Sequence, residues 1–155
     1  MNATVERVAA ILTEANAASE ITTLPEAAPN AASAAAQLGC DVAAIANSLV
    51  FDGDGAPVLV IASGGHRVET AKVAALVGAS AVTRATPDFV REATGQPIGG
   101  VAPVGHPQAI TTVVDTRLAN HPHVWAAAGH PRTVFRTTFD ELVAMTDGSP
   151  ADIGA

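Results

Sequence analysis

The 155-residue chain has no tyrosine and only one tryptophan, one cysteine and one lysine; aromatic residues make up 3% of it. Each scarcity excludes something. With Cys40 alone, no disulfide can close within the chain and no cysteine-based zinc site can form in it. No apolar run approaches the roughly 20 residues that span a bilayer, and the N-terminus lacks the basic-then-apolar pattern of a secretory signal. These absences point to a cytoplasmic protein with no membrane partner. Basic residues are scarce as well: seven Arg and Lys72 stand against 15 acids, giving a net charge of −7. A protein that grips nucleic acid by neutralising phosphates shows a basic stripe, and none is visible. Tight, non-specific RNA binding is therefore disfavoured. Reading one nucleotide and its attached group in a pocket is not.

The residues that are abundant are small and apolar. Hydrophobic residues reach 48%, mostly Ala and Val, and the length suits a single domain spanning residues 1–155. Such a core is held by many small contacts rather than by a few rings.

Val5, Val8, Ala9 and Leu12 mark one face of a first helix. Ile21 to Leu24 suits a short strand. Asn30 can cap a helix over Ala31–Leu38, which Gly39 ends. Ile45–Asp52 and Val58–Ala62 read as a hairpin around Gly53-Asp54-Gly55. A helix is expected from Val68 to Val77, then a strand at Ala81–Arg84. Thr86-Pro87 opens another helix that closes near Gly95. Four further strands are expected, at Ile98–Ala102, Thr111–Asp115, Val124–Ala127 and Thr133–Arg136. A Thr138/Glu141 capping box starts the last helix, which reaches about Thr146. Without a regular βαβ repeat, the pattern fits an α+β fold whose mixed, curled, barrel-like sheet is surrounded by helices.

The stretch from Thr94 to Pro107 carries the densest chemistry. Gly99-Gly100 beside a strand would let a backbone approach a ligand and leave N–H groups free to donate. Pro97, Pro103 and Pro107 stiffen its flanks. It matches no phosphate-binding loop. A structural bulge is the plainer alternative.

Several segments, in the same order, resemble the YbaK/prolyl-tRNA-synthetase-associated family. Thr94-Gly95 followed by Ile98-Gly99-Gly100-Val101-Ala102-Pro103-Val104-Gly105 is similar to its "TG…GGVSP-G" segment, with Ala102 where Ser is common. Ile45 to Phe51 resembles its "V-K-S/T-L" strand, Val113-Val114-Asp115 its "V-V-D" strand, and Trp125 to Gly129 its "V-S-A-G" run. Leu142 onward, ending Ala151-Asp152-Ile153, resembles its closing helix and tail.

The resemblance implies a hydrolase that removes wrongly attached amino acids from tRNA, using neither cofactor nor metal. Its partners would be the aminoacylated 3′-terminal adenosine of mischarged tRNA and, as a second candidate, an aminoacyl-tRNA synthetase. Backbone amides at Gly99 and Gly100 would polarise the ester carbonyl, and orientation plus a few such donors can suffice for an activated ester. Ser48, Phe51, Ala102, Pro103, Gly105, His106, Ala127 and Gly129 would line the substrate pocket. Asn47 occupies the position of the family's lysine and can hydrogen-bond but carries no charge. A non-catalytic module that binds aminoacyl-adenosine is therefore the alternative. Ala127 stands where many members have Ser.

His130, just beyond Ala128-Gly129, could orient a water or ribose hydroxyl near neutral pH, or simply turn the chain before Pro131. Asp115, at a strand end, could act as a general base or an orienter, the catalytic role the resemblance implies, or cap the turn at Thr116. His66, His106, His121, His123 and His130 include no H-E-x-x-H pattern, so a metal site is not expected. Arg84, Arg91 and Arg117 could touch phosphates, though scattered arginines usually lie on solvated faces.

Overall fold

The computed structural model describes residues 3–14, 21–28, 30–96 and 101–154. Helices α1 (Ala3–Glu14), α2 (Ala31–Leu38), α3 (Thr70–Val77), α4 (Pro87–Thr94) and α5 (Phe139–Thr146) surround one sheet. Its strands are β1 (Ile21–Thr23), β2 (Ile45–Gly53), β3 (Ala56–Ser63), β4 (Val82–Arg84), β5 (Thr111–Asp115), β6 (Val124–Ala127), β7 (Thr133–Thr137) and β8 (Ser149–Ala151).

The order across the sheet is β1-β7-β6-β2-β3-β5-β8, with β4 also paired to β2. Ladders β2/β6, β3/β5 and β5/β8 are parallel and the others antiparallel. The fold is α+β with a mixed sheet, as expected. Among the described residues no ladder joins β1 to β8, so the sheet remains open rather than closing into a barrel.

The chain's local chemistry accounts for these elements. Asn30, Thr86 and Thr138 accept hydrogen bonds from Ser33, Phe89 and Glu141 N–H and so cap α2, α4 and α5. The β2–β3 hairpin turns on Asp54 (φ 55°) and Gly55 (φ 91°), the double positive φ of a two-residue type I′ turn. Strand β3 lies inside the sheet, and both its faces are covered. Leu59 and Ile61 join Val8, Leu12, Phe135 and Leu142 on one side; Val58, Val60 and Ala62 join Val73, Val113 and Ile153 on the other. That is why its sequence is an unbroken apolar run rather than an alternation.

Two expectations need correction. Of the strand expected at Ile98–Ala102, residues 98–100 lie outside the described residues, while Val101 and Ala102 are not in a strand. Strand β8 was not expected. It exists because its backbone completes the parallel edge of β5, a long-range pairing that the local pattern of Ser149-Pro150-Ala151 does not signal.

Beneath this edge lies a polar knot. Asp115, fully buried at the end of β5, accepts from Ser63 N–H (2.9 Å) and Arg117 N–H (3.0 Å). It also pairs with His66 Nδ1 at 2.8 Å. The C-terminal segment closes over that histidine. Glu69 N–H bonds Ile153 C=O (2.7 Å), Lys72 Nζ bonds Gly154 C=O (2.6 Å), and a β-carbon on Gly154 would fall on the imidazole. Lys72 thus fastens the tail.

Candidate functional site

A cleft of about 590 Å³ opens along β2, between α2 and the β6–β7 turn on one side and β4 and α4 on the other. It brings together Asn47, Ser48, Phe51, Ala127 and His130. Strand β2 supplies the first three, while β6 ends at Ala127 and leads into the turn that carries His130.

The walls are small and apolar: Ala28, Ala31 and Ala34 near α2, Ala85, Val90 and Val101 near α4. No Asp or Glu lines the cleft, and Arg84 is its one Lys or Arg among the described residues. In a chain of net charge −7, an acid-free cleft with a cation at its wall favours an anionic or electron-rich ligand.

The polar side chains differ in their freedom. The Asn47 amide has no hydrogen-bond partner among the described residues, so its donors and acceptor are available to a ligand. His130 Nδ1 accepts from Arg132 N–H at 3.1 Å. In the neutral ring the proton then sits on Nε2, so the imidazole offers a donor rather than a base. Ser48 Oγ is buried without a partner among the described residues. Ser48→Ala is expected to leave stability unchanged or raise it, since a buried, unpaired hydroxyl costs about 1–3 kcal/mol. Urea unfolding checks this; a clear loss of stability would show that the hydroxyl is satisfied in solution.

The other residues expected at the site lie elsewhere. The structure does not bring Asp115 to the cleft; it is sealed in the knot with His66. Ala102 is wholly buried, and its N–H donates to Gln96 Oε1 (2.7 Å). Pro103, Gly105 and His106 border a second groove, of about 630 Å³, between α1 and the end of α5. Gly129 (φ 103°) lies against α1, where a β-carbon would press into Thr4. Gly99 and Gly100 lie outside the described residues.

His106 has a structural task in this second groove. Its Nε2 donates to Ala102 C=O (2.9 Å), bracing the loop. Burial pushes its pKa below the ordinary 6.5, partly opposed by that hydrogen bond. A folded pKa below the unfolded one gives stability that is complete above the unfolded value and is lost as pH falls through the folded one. Unfolding midpoints should therefore decline between pH 7.5 and pH 5, and less steeply in His106→Gln. Equal slopes for the two proteins would contradict this role.

Arg84, Ala31, Ala34, Pro87, Val90 and Trp125 line the cleft but were not assigned to the pocket from sequence. Trp125, packed against the core beneath α2, is half-buried at the cleft wall. The Ala31/Ala34 spacing, one helical turn apart, was the available signal for a small-residue wall.

Residues 25–145 match the model of the aminoacyl-tRNA editing domain. The chain belongs to that family. This editing domain is similar throughout to a proposed trans-editing enzyme for prolyl tRNA synthetase, whose crystal structure superposes with a TM-score of 0.92 at 38% identity. The match covers 100% of this chain and 99% of that one. The uncharacterized protein YwhH of Bacillus subtilis is 30% identical over 131 residues, 84% of this chain and 83% of its own. The proline–tRNA ligase of Geobacillus kaustophilus is 35% identical over 72 residues, which make up 46% of this chain and only 13% of that ligase. Among the described residues no helix is long and apolar enough to cross a membrane, and no group of three His, Cys, Asp or Glu could hold a metal ion.

Proposed function

We propose that this editing domain hydrolyses the ester joining a small, wrongly attached amino acid to the 3′-terminal adenosine of tRNA, acting in trans and without a metal. The observation that carries this reading is the convergence of Asn47, Ala127 and His130 on one acid-free cleft of small apolar residues. Water adds to the ester carbonyl, the bond to the ribose oxygen breaks, and free amino acid and tRNA leave. Asn47 holds the ester end, and His130 Nε2–H donates to an oxygen of the substrate. The Gly99-Gly100 backbone polarises the carbonyl; Val101, the next residue, lines the cleft wall. The adjacent ribose hydroxyl assists the attacking water. Alanine side chains along α2 leave room for a residue such as Ala, Ser, Cys or Pro, among which a methylene is worth about 1–3 kcal/mol. The similarity to a proposed trans-editing enzyme and to a proline–tRNA ligase supports tRNA and a synthetase as partners.

A second reading has its own observation. Asn47 supplies no charge where the resemblance implies a lysine, and the Nδ1 of His130 is already engaged by Arg132 N–H. A module that binds aminoacyl-adenosine without turning it over fits both facts. A panel of tRNAs mischarged with labelled small amino acids separates the two. Release of one amino acid faster than its spontaneous loss is expected. No turnover on any tRNA, with retained binding of a non-hydrolysable aminoacyl-adenosine amide, would replace the enzyme by the module.

A further inference from the structure

The floor of the cleft contains a break in the sheet. On one side β2 is paired with β3 along its length, from Ala46 to Gly53. On its other side β6 pairs only with Ile45 and Ala46, and β4 only with Phe51, Asp52 and Gly53. Among the described residues, no strand lies beside residues 47–50 there. Strand β6 runs parallel to β2 and β4 antiparallel, so both approach the opening with their C-terminal ends, Ala127 and Arg84. Both of those residues line the cleft.

The backbone groups that face this opening follow from the hairpin. In a two-residue hairpin the pair closing the turn, here Gly53 and Ala56, exchanges both hydrogen bonds. The register runs without a bulge, so Phe51, Leu49 and Asn47 also direct their N–H and C=O toward β3. Asp52, Val50, Ser48 and Ala46 direct theirs the other way. Asp52 meets β4 and Ala46 meets β6. Ser48 and Val50 meet no strand, and no backbone bond outside the ladders involves them among the described residues. Among the described residues, two N–H and two C=O groups thus line an apolar cleft unpaired, an arrangement folded chains seldom leave without a partner.

From this we infer that the opening is a nucleobase subsite, in which the backbone of Ser48 and Val50 reads the 6-amino edge of adenine. The inference rests on the editing reading of the cleft and assigns the terminal base of that substrate to a place within it. An extended residue presents its own N–H and C=O on one edge, the same donor and acceptor pair with which an Asn or Gln amide recognises adenine N6–H and its neighbouring ring nitrogen. Val50 packs with Ala85, Val90 and Val101, an apolar wall for the face of a flat ring. Arg84, at the end of the opening, suits the phosphate attached to the nucleoside. A peptide strand fits less well. The opening is only four residues, about 13 Å, and a strand in it would have to turn out at both ends.

Two measurements on the intact protein test this. With adenosine 5′-monophosphate, the amide resonances of Ser48 and Val50 should shift and become protected from exchange, while those of Asn47 and Leu49, bonded to β3, stay still. Inosine 5′-monophosphate, with a 6-oxo group, should do neither. In deacylation, replacing the terminal adenosine of a mischarged tRNA by inosine should lower kcat/KM roughly 10- to 100-fold, the discrimination of one bidentate base contact. Equal rates for both bases, with silent Ser48 and Val50 amides, would overturn the subsite while the editing reading stands. Adenine-specific shifts without turnover on any tRNA would leave the subsite and remove the enzyme. Shifts produced by a short extended peptide but not by the nucleotide would make the opening a strand-docking site and refute the assignment.

Discussion

Asp115→Ala is expected to destabilise the protein by about 3–5 kcal/mol, since it leaves the buried donors of a satisfied hydrogen-bond network unpaired at about 1–3 kcal/mol each. Three donors converge on this carboxylate, from His66, Ser63 and Arg117, and no water reaches it. Truncation leaves the His66 and Ser63 donors unpaired in the interior and that of Arg117 unpaired at its edge. It also releases the His66 ring on which the 152–154 tail rests, so the β5–β8 edge should loosen with it. A domain typically has only about 5–15 kcal/mol in total. The alanine variant should therefore unfold at a markedly lower urea concentration and show early exchange of the β8 amides. Asp115→Asn keeps an acceptor but turns an amide N–H₂ toward at least one donor, so an intermediate loss is expected. A variant that stayed as stable as the parent, yet lost deacylation, would return Asp115 to the site.

Asp115 shows where sequence reading reached its limit. Its motif, Val113-Val114-Asp115, identified the family without revealing the aspartate's task, because that task depends on His66 and Ser63, 49 and 52 residues away. Features set by neighbours in the chain were legible. The caps at Asn30, Thr86 and Thr138, the Asp54-Gly55 turn and the doubly buried run of β3 lie where local chemistry puts them. The cleft was half legible. Asn47, Ser48 and Phe51 share one strand, and Ala127 and His130 lie close in sequence. Arg84 and the α2 alanines reach the same place only through ladders and packing with large sequence separation. The opening beside residues 47–50 was invisible from the sequence, since it is created by where two other strands stop.

The second large effect is expected at position 47. The Asn47 side chain has no hydrogen bond to lose among the described residues, so Asn47→Ala should leave the unfolding midpoint nearly unchanged. Loss of one donor aimed at the developing oxyanion costs about 10² to 10³ in rate, and a fall of that order in single-turnover deacylation is expected. Asn47→Lys places a cation in a cleft that has no acid among the described residues to neutralise it, and should keep or raise the rate. Asn47→Asp presents acceptors and a negative charge to the ester oxygens, and should be slower than the alanine variant. This order, lysine at least equal to asparagine, then alanine, then aspartate, is what donation to an oxyanion requires. Steric filling would instead leave asparagine and aspartate alike. An alanine variant with the parent's rate would remove position 47 from the chemistry and leave orientation in the cleft, with the backbone donors, to account for any turnover.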